Sequence, residues 1–162
     1  MAVARAVARI TLPLALVIGV LLTNVAPAAA TTSSQSDFSK IFSLAKTKIG
    51  DPWVHYAKGP NKFDCVGYVW YIFHYYDLQS HIGGYRGVKA YYDWFKSRGL
   101  VSKDNPKIGD LIIWGNFQHV GMYIGDGKAI SALINPYGVK IHPVKGWLNE
   151  PFKYYLHTQL PN

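Results

Sequence analysis

The chain has a single cysteine, Cys65, among its 162 residues. An internal disulfide is therefore excluded, although small exported domains commonly use cysteines in pairs as staples. No two His or Cys residues stand at a metal-ligand spacing such as H-x-x-x-H, so a metal enzyme is not expected, and no other cofactor is implied. Internal repeats and low-complexity tracts are absent, which sets aside solenoids, arrays and sticky linkers. Lys and Arg form no local cluster despite a formal net charge of +8. A second long apolar run is missing as well.

The one long apolar run lies at the start. Arg5 and Arg9 precede it, Ile10 to Val25 is almost wholly apolar, and Ala28-Ala29-Ala30 supplies small residues of the kind a signal peptidase reads. The run is about sixteen residues long, contains Pro13 and lacks a charged stop, whereas a membrane-crossing helix needs roughly twenty. Residues 1–30 are read as a signal peptide, 31–36 as a flexible linker and 37–162 as one domain. No Cys follows the run, so a lipid-anchored form is not expected. The mature protein would be secreted, periplasmic or wall-associated, monomeric, and without stable membrane insertion. Loss of Arg5 and Arg9 takes the charge to about +6. A basic exported protein is drawn to anionic wall polymers or membrane surfaces, and export makes nucleic acid a poor partner. A solvated basic surface accounts for the charge equally well.

Apolar periodicity maps the rest. Phe38, Ile41, Phe42, Ala45 and Ile49 recur at helical spacing, with Ser36 or Asp37 to cap the start and Gly50 to end the helix. A second helix is expected from Asp64 or Cys65 to about Tyr76, apolar around most of its circumference and hence central. A third, amphipathic one spans Val88 to Arg98. Past Ile108 the pattern turns to strands at Leu111–Trp114, His119–Ile124, Lys128–Leu133, Val139–His142 and Lys153–His157, with a hairpin signal at Gly125-Asp126-Gly127. Helices first and an antiparallel meander afterwards make an α+β domain.

A lone thiol that is not a staple is either a small buried hydrophobe or a reactive group. At the start of its helix, Cys65 lies where unpaired N–H groups and the helix dipole favour thiolate. The N–H groups of Cys65 and Val66 point to the same spot and can hold an oxyanion. Gly67 allows a close chain approach. The nucleophile needs a base, and imidazole suits. His74 is nine residues along the same helix, about 13 Å away, and too far. His55 lies in an irregular stretch; His81 and His157 sit near element ends. His119 opens a strand in which Val120, Met122 and Ile124 face the core while His119, Gly121 and Tyr123 face the other way. Asp64 is placed to cap the helix.

Phe63-Asp64-Cys65-Val66-Gly67-Tyr68-Val69, Gly109-Asp110-Leu111-Ile112 and His119-Val120-Gly121-Met122-Tyr123-Ile124-Gly125, in that order, resemble the NlpC/P60 family, as does Ile49-Gly50-Asp51-Pro52-Trp53 upstream. The resemblance implies a papain-like fold with N-terminal helices on an antiparallel sheet. It further implies Cys65 as nucleophile, His119 as base, and hydrolysis of peptidoglycan stem peptides, commonly between D-glutamate and a diamino acid. It also implies a substrate-amine contact for the acidic residue beside the cysteine, Asp64. Three positions depart from the family pattern. Val66 stands where Ser is usual, and Trp53 stands where a Tyr assists at the oxyanion. Ser131 stands twelve residues after the base, where a His normally orients it. A three-residue hairpin loop would pair Gly121 with Ser131 and set His119 and Ser131 on one face, about 7–8 Å apart. A two-residue loop would put them on opposite faces. His142 is the alternative orienter. Two other readings stay open: a non-catalytic wall-binding module on the same scaffold, and a Cys-dependent amidase, deamidase or acyltransferase.

Overall fold

The computed structural model describes residues 36–147 and 149–161; the expected signal peptide and the linker up to residue 35 lie outside them. Helix α1 (Asp37–Thr47) starts where Ser36 Oγ accepts the N–H of Ser39 at 3.3 Å, and it buries Phe38, Ile41 and Ala45. It stops before Ile49, which was expected on its apolar face and instead lies in the following turn, 48% exposed. Helix α2 (Cys65–His74) buries Val66, Tyr68, Val69, Ile72 and Phe73, which leaves it little solvent face, as its apolar circumference requires. Helix α3 (Val88–Lys96) buries Val88, Tyr91 and Phe95, one stripe at i, i+3 and i+7. A 3-10 turn at Gln79–Ile82 lies between α2 and α3 and had no clear periodic signal. No helix among the described residues is long and apolar enough to cross a membrane.

Six strands form one antiparallel sheet: β1 (Val101–Ser102), β2 (Leu111–Trp114), β3 (His119–Gly125), β4 (Lys128–Leu133), β5 (Gly138–Pro143) and β6 (Phe152–Leu156), in the order β1-β6-β2-β3-β4-β5. The two-residue β1 was too short to carry a pattern. Alternation along the strands divides the side chains between two faces. Leu111, Ile113, Val120, Met122, Ile130 and Leu156 pack under the helices. Ile112, Trp114, Ala129, Val144 and Tyr155 make a second apolar cluster on the far face.

The β3–β4 hairpin sets the register on which the site depends. Its turn has two residues, Asp126 and Gly127, both left-handed (φ 50° and 66°), as the tight turn of a twisted hairpin needs. Alone, that turn would turn His119 and Ser131 to opposite faces. The ladder, however, pairs Gly125 with Lys128 and Tyr123 with Ala129, so one extra residue is accommodated as a bulge in β3. The bulge restores the register that a three-residue loop would have given, with Met122 opposite Ile130. Residues 119 and 131 thus share a face.

The approach of α2 to the preceding loop depends on Gly67. A Cβ there would run into the carbonyl of Ala57, whose oxygen also accepts the N–H of Asp64 at 2.9 Å. Gly67 is buried and lets backbone lie directly on backbone.

Candidate active site

Cys65 is the first residue of α2, and Asp64 is its cap. The Asp64 carboxylate is 8% exposed; Oδ1 accepts the N–H of Gly67 at 2.6 Å and Oδ2 that of Tyr56 at 2.9 Å. This carboxylate therefore ties the helix start to the loop before it, which is the capping role. A cap of this kind contributes about 1 kcal/mol. The backbone N–H groups of Val120, Val66 and Cys65 itself act to lower the thiol pKa. Val120 directly follows His119 on β3, so the thiol at the helix tip lies near the strand at the residue beside the expected base. Pairing of β3 with β4 runs only from Met122 onward.

His119, Ser131 and His142 form one hydrogen-bonded chain. His119 Nε2 lies 2.9 Å from Ser131 Oγ, Ser131 Oγ lies 2.8 Å from His142 Nε2, and His142 Nδ1 lies 2.9 Å from the carbonyl oxygen of Pro143. Ser131 and His142, alternatives in the sequence reading, lie in series along this chain. Cross-strand neighbours explain it: Ser131 pairs with Lys140 and Ala129 with His142, so positions 131 and 142 are diagonal on one face. The indole of Trp114 packs beside both rings, at 5.3 Å from His119 and 5.5 Å from His142, and its Nε1 donates to Val144 O at 2.7 Å. Trp114 was not anticipated as a site residue, since its strand read only as apolar.

The far end of this chain sets its polarity. A carbonyl only accepts, so His142 donates from Nδ1 to Pro143. Burial lowers the pKa of His142, chiefly through lost hydration, and its neutral ring then presents Nε2 as an acceptor. Ser131 donates its hydroxyl to that nitrogen and accepts at Oγ from His119 Nε2–H. His119 is left with a bare Nδ1, the nitrogen that a base needs on its cleft side. Ser131 is fully buried and His142 is 2% exposed, so solvent does not supply these bonds, and leaving either group unpaired costs about 1–3 kcal/mol.

The electrostatics differ from the sequence expectation. The helix-start N–H groups do favour thiolate, but burial outweighs them and, with the negative charge of Asp64, pushes the Cys65 thiol up to about 11. Burial, and then the charge of His142, takes His119 down to about 3. Contact between opposite charges returns about 4 kcal/mol at an effective dielectric constant near 20, or roughly three pKa units. That does not close the gap between about 3 and about 11. Burial therefore favours the neutral thiol and the neutral imidazole over the ion pair.

Both groups line one cleft of about 500 Å³. Trp53 forms part of its wall, joined by a bridge to Phe63 and stacked on His55 at 5.8 Å. Ile134, Tyr137 and Trp147 form an apolar wall, while Gln118 and Glu150 also line the cleft. None of these five was singled out from sequence. They lie on loops, where periodicity carries no signal. Burial, and then the negative charges of Asp64, Cys65 and Tyr56, push up the phenol of Tyr85.

Comparison with known proteins matches residues 50–156 to the NlpC/P60 family. The chain is 32% identical over 117 residues to a protein of Listeria grayi named probable endopeptidase p60, covering 70% of this chain and 21% of that one. It therefore spans about a fifth of the length of that relative. Among solved structures it resembles NlpC2 from Trichomonas vaginalis, with a TM-score of 0.62, 25% identity and coverage of 79% of this chain and 49% of that one. It also resembles the NlpC/p60 domain of the peptidoglycan hydrolase SagA, with a TM-score of 0.57, 29% identity and coverage of 74% and 97%. The matched span includes the capped cysteine helix and the strands that carry His119, Ser131 and His142. This chain belongs to the NlpC/P60 family.

Proposed function

We propose that the protein is an exported cysteine endopeptidase that hydrolyses peptide bonds in peptidoglycan stem peptides, at the bond between D-glutamate and a diamino acid. The observation that carries this reading is that Cys65 and His119 line one cleft, with His119 Nε2 held by Ser131 at 2.9 Å and its Nδ1 left bare. The names of its relatives, probable endopeptidase p60 and the peptidoglycan hydrolase SagA, supply the substrate class.

The chemistry follows from the neutral resting pair. As Sγ attacks the scissile carbonyl carbon, the thiol proton passes to His119 Nδ1. The new positive charge on the ring is stabilised through Ser131 and His142. The N–H groups of Cys65 and Val66 stand at the helix tip for the oxyanion, with the Trp53 indole as a further donor in the cleft wall. Collapse breaks the C–N bond, the leaving amine takes the proton from Nδ1, and a thioester remains on Cys65. Water then attacks the thioester while His119 takes its proton, and Sγ leaves and regains a proton.

One observation favours a wall-binding module instead: burial keeps Cys65 a thiol, beside exposed Tyr137 and Trp147. Incubation of the mature chain with purified wall peptides separates the two. The endopeptidase releases a fragment with a new amino terminus, and Cys65→Ala abolishes it. Binding without any cleavage by the unmodified chain favours the module.

A further inference from the structure

Lys and Arg form no cluster along the sequence, but the fold gathers four lysines around three rings, away from the cleft. Tyr92 lies 5.0 Å from Phe117 and 4.9 Å from Tyr154, centroid to centroid. Lys153 Nζ stands 4.3 Å from the Phe117 centroid, and Lys103 Nζ 5.9 Å from that of Tyr154. Lys96 Nζ lies 5.5 Å from the Tyr92 centroid. Lys89 Nζ lies 5.7 Å from the same centroid and 5.5 Å from that of Phe117. Three separate stretches supply these cations. Lys89, Tyr92 and Lys96 share one face of α3, at i, i+3 and i+7, beside the buried stripe. Ser102 of β1 pairs with Tyr155 of β6, so Lys103 comes alongside Tyr154, next to Lys153.

Carboxylates offset little of this charge. Lys89 pairs with Asp93 at 2.5 Å, whereas Lys96, Lys103 and Lys153 are in no ion pair among the described residues. Lys153 gives one of its three N–H donors to Asn116 Oδ1 at 3.1 Å. Lysine stems cover apolar surface while their ammonium heads stay in water. Tyr92, Phe117 and Tyr154 are half-buried and packed against the core, so none of the three rings projects. A bilayer surface is held by apolar groups that insert, and single-stranded nucleic acid by bases stacked on exposed rings. A flexible polyanion needs neither, only cations set apart along a surface.

We propose that Lys89, Lys96, Lys103 and Lys153 form a docking surface for a phosphodiester polymer without bases, of the polyol-phosphate kind, and so hold the protein at the wall. This rests on the expected export of the chain and not on the roles given to Cys65 and His119; none of the four lysines lines their cleft. The protein is titrated calorimetrically with poly(glycerol phosphate), with oligothymidylate and with phosphatidylglycerol vesicles. Binding of poly(glycerol phosphate) is expected to weaken with added salt. Gln at all four positions should weaken it about thirtyfold, and each single Lys→Gln about two- to threefold, so the singles report even where the fourfold variant does not fold. Arg at the four positions keeps the affinity. Gln at Lys46, Lys48, Lys62 and Lys128 removes the same charge elsewhere and should cost about threefold at most. No binding of poly(glycerol phosphate), equal losses in the two fourfold Gln variants, or tighter binding of oligothymidylate or vesicles overturns the proposal.

Discussion

Ser131 Oγ lies 2.9 Å from His119 Nε2 although twelve residues and a hairpin separate them. The bond exists because a bulge in β3 compensates a two-residue turn. Its consequence is an imidazole whose tautomer is dictated by a proline carbonyl three hydrogen bonds away.

On the proposed mechanism, Ser131 and His142 are positioning residues. Ser131→Ala is expected to lower kcat by about 10- to 100-fold with little change in KM, short of the full loss of a general base. His142→Gln is expected to lower kcat less, because Ser131 still accepts from His119. Steady-state kinetics on wall peptides checks both. Equal kcat in Ser131→Ala and the unmodified enzyme would remove the orienting role.

The neutral resting pair predicts the labelling behaviour of the thiol. Alkylation of Cys65 by iodoacetamide should be slow near neutrality and rise with pH toward about 11. His119→Ala should slow it near neutrality, where the imidazole assists as a base, and leave it unchanged once thiolate forms unaided. A labelling plateau reached below neutrality would show a preformed thiolate–imidazolium pair.

Stability should fall with acid. His119 drops from the ordinary 6.5 to about 3 in the folded protein. Between those values the unfolded chain binds a proton that the folded chain refuses, so unfolding becomes easier as pH falls through that window. His142, lowered by burial as well, adds in the same direction. Denaturant titrations across the window should show a shallower slope in His119→Gln, and an identical slope would place the acid sensitivity elsewhere.

Gly67→Ala should destabilise the fold, by about 1–3 kcal/mol, because the new methyl meets the backbone at Ala57 and Lys58. Forcing α2 away from that loop also strains the bonds from Tyr56 and Gly67 to Asp64. Thermal unfolding measures it. An unchanged Tm would mean that the loop yields freely.

The helices and five of the six strands were legible because each buries a periodic apolar stripe or, in α2 and β2, a continuous apolar run. That Cys65 and His119 share one cleft was legible because each opens an element two residues before a glycine, in a family pattern. The serial Ser131–His142 relay was not, because pairing at residues 128 and 125 together with a bulge cannot be told from a three-residue loop by the Gly125-Asp126-Gly127 signal. The raised thiol pKa was missed for a different reason. A helix dipole is visible in sequence, whereas the burial that outweighs it comes from packing against β3. Glu150 lies in a loop without periodicity, and only the folded cleft sets it beside the nucleophile.

The sharpest measurement is the intact mass of the protein acid-quenched during reaction with purified stem peptide. The account predicts an adduct equal to the acyl half of the substrate, mapped to the peptide that contains Cys65, together with complete loss of cleavage in Cys65→Ala. Cleavage that persists in Cys65→Ala would contradict it.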